Sequence, residues 1–109
     1  MLGAAYRGGV KETAFSGVFD VVDELKRAGA VPVVNDPLYT ADELAKLGFD
    51  DYEFGQPVDA VIVQANHPEY AKVGVANLPG VRTVIDGRDV TSDELRRDVP
   101  TFVLGAASV

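Results

Sequence analysis

The stretch Gly3-Ala4-Ala5-Tyr6-Arg7-Gly8-Gly9-Val10-Lys11-Glu12-Thr13-Ala14-Phe15-Ser16 is the part of this chain best equipped for chemistry. Arg7 and Lys11 flank Gly8-Gly9 just upstream of a predicted helix N-terminus, where unpaired backbone N–H groups favour an anion. Such a loop suits one small phosphate ligand; the alternative is a solvated, flexible connection. Gly3 and Gly8 have the spacing of a P-loop, but Gly9-Val10 stand where a Lys and a Ser or Thr must reach phosphates and magnesium. No G-x-G-x-x-G occurs, so a complete dinucleotide fingerprint is missing as well.

Three further positions carry suitable groups. Asp36 follows an apolar segment, where an acid can bond a ribose hydroxyl in dinucleotide folds; without the glycine fingerprint, the turn-forming role of Asp36-Pro37 weighs more. His67 is the single histidine. It offers a base or a ligand contact, yet with no Cys and no clustered carboxylates it makes no metal site, and Asn66-His67-Pro68 is also an ordinary way into a helix. Arg88, in Asp86-Gly87-Arg88-Asp89, can present a planar fork to a phosphate or carboxylate, or pair with a neighbouring Asp on the surface. A receiver-like signalling domain needs acids after its first and third strands and a Lys after its fifth. Ala5-Tyr6-Arg7, Gln64-Ala65 and Gly87-Arg88 stand there instead, so that class fails.

These residues need elements to position them. Val18, Phe19, Val21, Val22, Leu25 and Ala28 recur at helical spacing, predicting a helix over Ser16 to Ala28 with Ser16 as cap and Gly29 as stop. Val31 to Asn35 reads as a short strand. Thr40 and Glu43 form a capping box for a short helix over Ala41 to Leu47. Asp59 to Ala65 is a nearly unbroken apolar run, the pattern of a parallel strand covered on both faces. Pro68 opens a short helix, Val81 to Asp86 is a strand, Thr91 or Ser92 caps a small helical turn, and Thr101 to Gly105 supplies a last strand. Asp51 to Phe54 is a candidate edge strand. Alternation of this kind predicts an α/β, Rossmann-like three-layer domain with a mainly parallel, doubly wound sheet of about five or six strands. Ligands bind such sheets where the strand order reverses, beyond the carboxyl ends. That directs attention to Tyr6–Phe15 and Ala65–Tyr70.

Composition bounds the rest. The 109 residues fit one domain, residues 1–109, and 47% hydrophobic content suffices for a core. Seventeen acidic against ten basic residues give a net charge of -7, so nucleic acid and an anionic membrane surface are expected to be repelled. The chain contains no cysteine, which excludes disulfides, thiolate metal sites and a cysteine nucleophile from it. No stretch has the ~18 apolar residues of a membrane span, and a cytoplasmic setting is expected. Met1 to Tyr6 reads as the second half of a buried strand, which suggests a chain that starts inside a larger protein's domain.

Taken in order, Gly3-Ala4-Ala5-Tyr6-Arg7 with Ser16, Asn35-Asp36-Pro37-Leu38-Tyr39, Asp59-Ala60-Val61-Ile62, Asn66-His67-Pro68-Glu69-Tyr70 and Asp86-Gly87-Arg88 resemble the C-terminal, UDP-binding domain of the UDP-glucose/GDP-mannose dehydrogenase family. The resemblance implies a Rossmann-like domain that holds the nucleotide part of a UDP-sugar, while an N-terminal domain binds NAD and a central segment carries a catalytic cysteine. Tyr6 and Arg7 then stand at the family's aromatic–Lys pair, and Arg88 at its C-terminal arginine. Gly8, Gly9, Lys11 and Ser16 complete the expected substrate-binding set. Arg7 presents a planar fork where the family has a compact ammonium. Lys11-Glu12, Ala14 and Gly17 depart from the family's usual acidic stretch, arginine and proline, which points to a divergent subfamily. The implied partners are UDP or a UDP-sugar, the sister domains of the parent enzyme and further subunits of a homo-oligomer. NAD is expected as a cofactor of that parent and none in this chain, which by itself lacks the parts to oxidise a sugar. The rival expectation is a non-catalytic α/β interaction module that packs against sister domains or subunits.

Overall fold

A computed structural model describes residues 1–104. Helix α1 spans Val18–Arg27 and α2 spans Ala41–Lys46; strand β1 is Ala60–Val63. Two short 3-10 turns, Pro68–Lys72 and Val75–Asn77, lead to β2 at Thr83–Asp86. Helix α3 covers Asp93–Asp98 and β3 covers Thr101–Val103.

Local sequence explains most of these boundaries. The Thr40 hydroxyl accepts the Glu43 N–H at 3.1 Å while the Glu43 carboxylate accepts the Thr40 N–H at 2.9 Å, so the capping box that starts α2 is complete. At α3 it is Ser92 that caps, accepting the Leu95 N–H, because Thr91 is occupied elsewhere. Helix α1 differs from expectation. Gly17 occupies its N-cap without a side-chain bond, and Ser16 accepts the Val18 N–H at 3.2 Å from one position further out.

The strands form a three-stranded, wholly parallel sheet in the order β1-β2-β3. Among the described residues the expected five or six strands are therefore not all present as strands. Beyond β1 the pairing continues only as isolated parallel bridges, Leu2 with Val63, Leu2 with Asn35 and Val34 with Asp51. The segments expected as strands at Val31–Asn35 and Asp51–Phe54 shrink to these contacts. Pro32 has no N–H to donate to a ladder. Gly3 takes φ +106°, which turns the chain out of extended geometry directly after Leu2. Gly105, the expected end of the last strand, lies outside the described residues.

Two apolar clusters hold the layers. Val18 and Val22 of α1 and Leu44 of α2 pack with Ala4, Val34 and Phe49. Val61, Val63 and Val84 of the sheet pack with Leu2, Tyr52, Tyr70, Val73, Leu78, Leu95 and Val99. A fully buried side chain of this size contributes about 1.5–3 kcal/mol. Sheet coverage corrects another expectation. Only alternate residues of β1, Val61 and Val63, are buried; Ala60 is exposed and Ile62 half-buried. Ile62, Ile85 and Phe102 share one register row, and Phe102 is 61% exposed, so the described residues cover this face of the sheet incompletely.

Candidate functional site

Beyond the carboxyl ends of Leu2, β1 and β2, the chain enters three successive loops, and side-chain and backbone bonds tie them together. The first loop begins against β1: a Cβ on Gly3 would lie 2.5 Å from the Ala65 Cβ, so only glycine lets these two backbones approach. Tyr6 donates its N–H to the Glu12 carbonyl at 3.0 Å, which closes the loop on itself.

Asp36 anchors that loop from below. Its buried carboxylate accepts the N–H groups of Ala4 and Ala5 on Oδ2, at 2.8 and 3.0 Å, and that of Leu38 on Oδ1. The Leu38 bond is the local turn anticipated for Asp-Pro. Oδ2 also takes a third partner, Nε2 of His67 at 2.9 Å. His67 is buried, and its other ring nitrogen, Nδ1, lies 3.1 Å from the Gly9 N–H. Because that N–H can only donate, Nδ1 accepts and the ring proton sits on Nε2, where it is donated to Asp36. The structural reading of His67 is the one the geometry supports. Asp36 does not offer Oδ2 to a ribose, since three donors of the chain already fill it.

Asn66 is the second clasp. Its Oδ1 accepts the Gly8 N–H at 2.7 Å and lies 3.3 Å from Nη2 of Arg88, whose Nη1 is 3.4 Å from the Tyr6 carbonyl oxygen. A Cβ on Gly8 would stand 2.2 Å from the Asn66 carbonyl oxygen. Arg88 is held in turn by Asp86 at the end of β2. Asp86 is fully buried and accepts the N–H groups of Arg88, Val90 and Thr91, the Thr91 hydroxyl at 2.7 Å and Nη2 of Arg96 at 3.3 Å. Burial pushes the Asp86 carboxyl up, but the bonds from Thr91, Arg88 and Val90 together outweigh it and leave the carboxyl below its ordinary range.

The expected site residues therefore divide. Tyr6, Gly8, Gly9 and Arg88 come together around Asn66-His67. Arg7, on the same loop, is exposed with its guanidinium 5.5 Å from the Tyr6 ring centroid. Lys11 turns away: its Nζ pairs with Glu43 at 2.5 Å and lies 5.2 Å from the Tyr39 ring. The hydrogen bond from Lys11, supported by the Thr40 N–H, lowers the Glu43 carboxyl to about 2. Ser16 lies beneath the loop, 3.4 Å from the Ala5 carbonyl oxygen, and serves the chain's own geometry. The Gly8 and Gly9 N–H groups are already bonded, so they shape the loop and are not free donors. Sequence reasoning passed over Asn66 and Asp86 as organisers. The available signal was a polar residue at the carboxyl end of a strand: Asn66 three residues past β1, and Asp86 as the last residue of β2.

Among the described residues no group of three His, Cys, Asp or Glu could hold a metal ion, and no helix is long and apolar enough to cross a membrane. The arrangement leaves two guanidinium groups, Arg7 and Arg88, beside a half-buried aromatic ring at one end of the sheet. That combination can neutralise and orient a compact anion attached to a planar or sugar-bearing group. A family model described as UDP-glucose/GDP-mannose dehydrogenase family, UDP binding domain, matches residues 1–93. No curated protein and no solved structure matches the chain significantly.

Proposed function

The chain belongs to the UDP-glucose/GDP-mannose dehydrogenase family as its UDP-binding domain, and on that premise we propose that it holds the UDP moiety of a nucleotide-sugar through the loop Tyr6–Lys11 and Arg88. The observation that supports this reading is the contact of Arg88 with both Tyr6 and Asn66, which brings the β2 loop onto the glycine loop. Arg88 and Arg7 would neutralise the diphosphate and Tyr6 would lie against the ligand. Lys11 would join only by exchanging Glu43 for a phosphate. A net charge of -7 does not oppose this, because the basic groups are local and the ligand is small.

The isolated bridges at Leu2, Val34 and Asp51 support a doubly wound, dinucleotide-type order. In it the Val34–Asn35 and Asp51 segments lie outside Leu2, and β1, β2 and β3 follow on the other side. The crevice between Leu2 and β1 is then the place where order reverses. In the parent enzyme, an NAD-bound domain and a cysteine supplied from outside this cysteine-free sequence would oxidise the sugar's primary alcohol to a uronic acid. The parent would be a cytoplasmic homo-oligomer of polysaccharide precursor synthesis.

Titration of the protein with UDP, UDP-glucose and GDP-mannose, followed by amide NMR shifts, tests the proposal. Shifts concentrated at Tyr6–Lys11 and Arg88 are expected. No response there at millimolar UDP would overturn it. The second reading, an interaction module, draws on the half-covered row Ile62, Ile85 and Phe102. Concentration-dependent dimerisation without any nucleotide response would favour it.

A further inference from the structure

We propose that His67 is a proton-sensitive positioning residue that clamps the glycine loop only while its imidazole is neutral. The imidazole bridges two groups far apart in sequence, with Nε2 on the Asp36 carboxylate at 2.9 Å and Nδ1 on the Gly9 N–H at 3.1 Å. The two bonds have opposite demands. The carboxylate requires a proton on Nε2, and the Gly9 amide requires a lone pair on Nδ1. One neutral tautomer satisfies both. A second proton on the ring leaves the Asp36 contact in place and strengthens its charge complementarity, but it turns Nδ1 into a donor that meets another donor. The loop then loses its hold at Gly9 while the ring stays anchored.

Surrounding charges allow this selectivity. Asp36 is the ionisable group bonded to the ring, and Tyr70 stacks edge-on at 5.5 Å with its hydroxyl turned to Asn35. Arg88 reaches the neighbouring Asn66 side chain and the Tyr6 carbonyl oxygen, not the ring. On the glycine loop, Arg7 lies over Tyr6 and Lys11 is paired with Glu43. Glu69, in the 3-10 turn that follows His67, is exposed.

Gly8 remains tied to Asn66 and Tyr6 to Glu12 when the Gly9 bond is lost, so the loop changes shape without unfolding. The consequence for ligand binding rests on the UDP reading above; the clamp itself does not. UDP-glucose is the suitable probe, since its diphosphate diester has no group that titrates near neutrality.

The test is an NMR pH titration of the intact protein, following the imidazole nitrogens and the protection factor of the Gly9 amide. Gly9 protection should fall about 2- to 10-fold, the loss of one hydrogen bond, with the same midpoint as the imidazole. The Ala4 and Ala5 amides on Asp36 should be unchanged, and UDP-glucose affinity should move over the same interval. His67→Gln, a non-titrating amide, should make the Gly9 profile flat. An imidazole that titrates without any change at Gly9 overturns the proposal, as does a His67→Gln protein that retains the pH-dependent step. No UDP-glucose binding at any pH, with the Gly9 step intact, overturns the ligand reading and supports the clamp alone.

Discussion

The carbonyl oxygen of Asn66 stands 2.2 Å from the point that a Cβ on Gly8 would occupy. Backbone meets backbone here, so no side-chain rotation relieves the contact. The glycine loop and the segment after β1 are therefore fitted to each other at this point.

Gly8→Ala should consequently push the loop off Asn66. Overpacking of this kind costs about 1–3 kcal/mol, and part of it should be relieved by loss of the Gly8–Asn66 bond. Chemical denaturation should show a modest loss of stability. Amide shifts at Tyr6, Gly9 and Arg88 should move together, while those of α2 stay in place.

Arg88 is exposed and its guanidinium is bonded only to oxygens that water can satisfy. Arg88→Ala should leave stability within about 0.5 kcal/mol, as for most surface changes. Loss of a charge-assisted bond to a diphosphate, about 1.5–3 kcal/mol, predicts a UDP affinity weakened roughly 10- to 100-fold by calorimetry. Unchanged affinity would remove Arg88 from the site.

Lys11→Gln separates two roles for this lysine. The Glu43 carboxyl, lowered to about 2 from an ordinary 4.5 by its Lys11 bond, should titrate nearer 4.5 in the variant, as carbon NMR of the side chain would report. A depressed folded value means that the stabilisation is present above about 4.5 and lost as the pH falls toward 2. UDP affinity should change only about twofold, given that an exposed pair of this type is screened by solvent and must be broken before Lys11 can reach a ligand.

Asp86→Asn tests the holder of Arg88. The amide cannot accept from Thr91, Val90, Arg88 and Arg96 as the carboxylate does, and replacing a buried charged acceptor should cost about 1.5–3 kcal/mol. Since the folded Asp86 lies below the ordinary 3.8, the wild type should lose this stabilisation as the pH falls below that value. Denaturation midpoints measured across pH 2 to 7 should show a shallower acid limb in Asp86→Asn.

Features that rest on neighbouring residues were legible in the sequence. Thr40 and Glu43 cap α2 as their spacing requires, because both partners lie within one turn. The choice between Thr91 and Ser92 at α3 was not readable: both are hydroxyls, and Asp86, from another element, takes Thr91. The apolar run at β1 does not distinguish one covered face from two, since Ile62 suits either. At the site, the basic glycine loop and Arg88 stood out by composition. Asn66 and Asp86 did not, and His67 stood out without its role being readable, for the work of all three depends on burial and on partners brought close only by folding, such as Gly8 and Asn66.

Leu2 lies between Asn35 and Val63, so it is flanked on both sides by segments synthesised after it. At about 5–20 residues per second on the ribosome, several seconds separate Leu2 from its second neighbour. The growing chain must carry this segment unpaired for that time. Completion of the site is thus a late event of synthesis, since the loop after Leu2 finds its clasps only once Asn66 and His67 have been made.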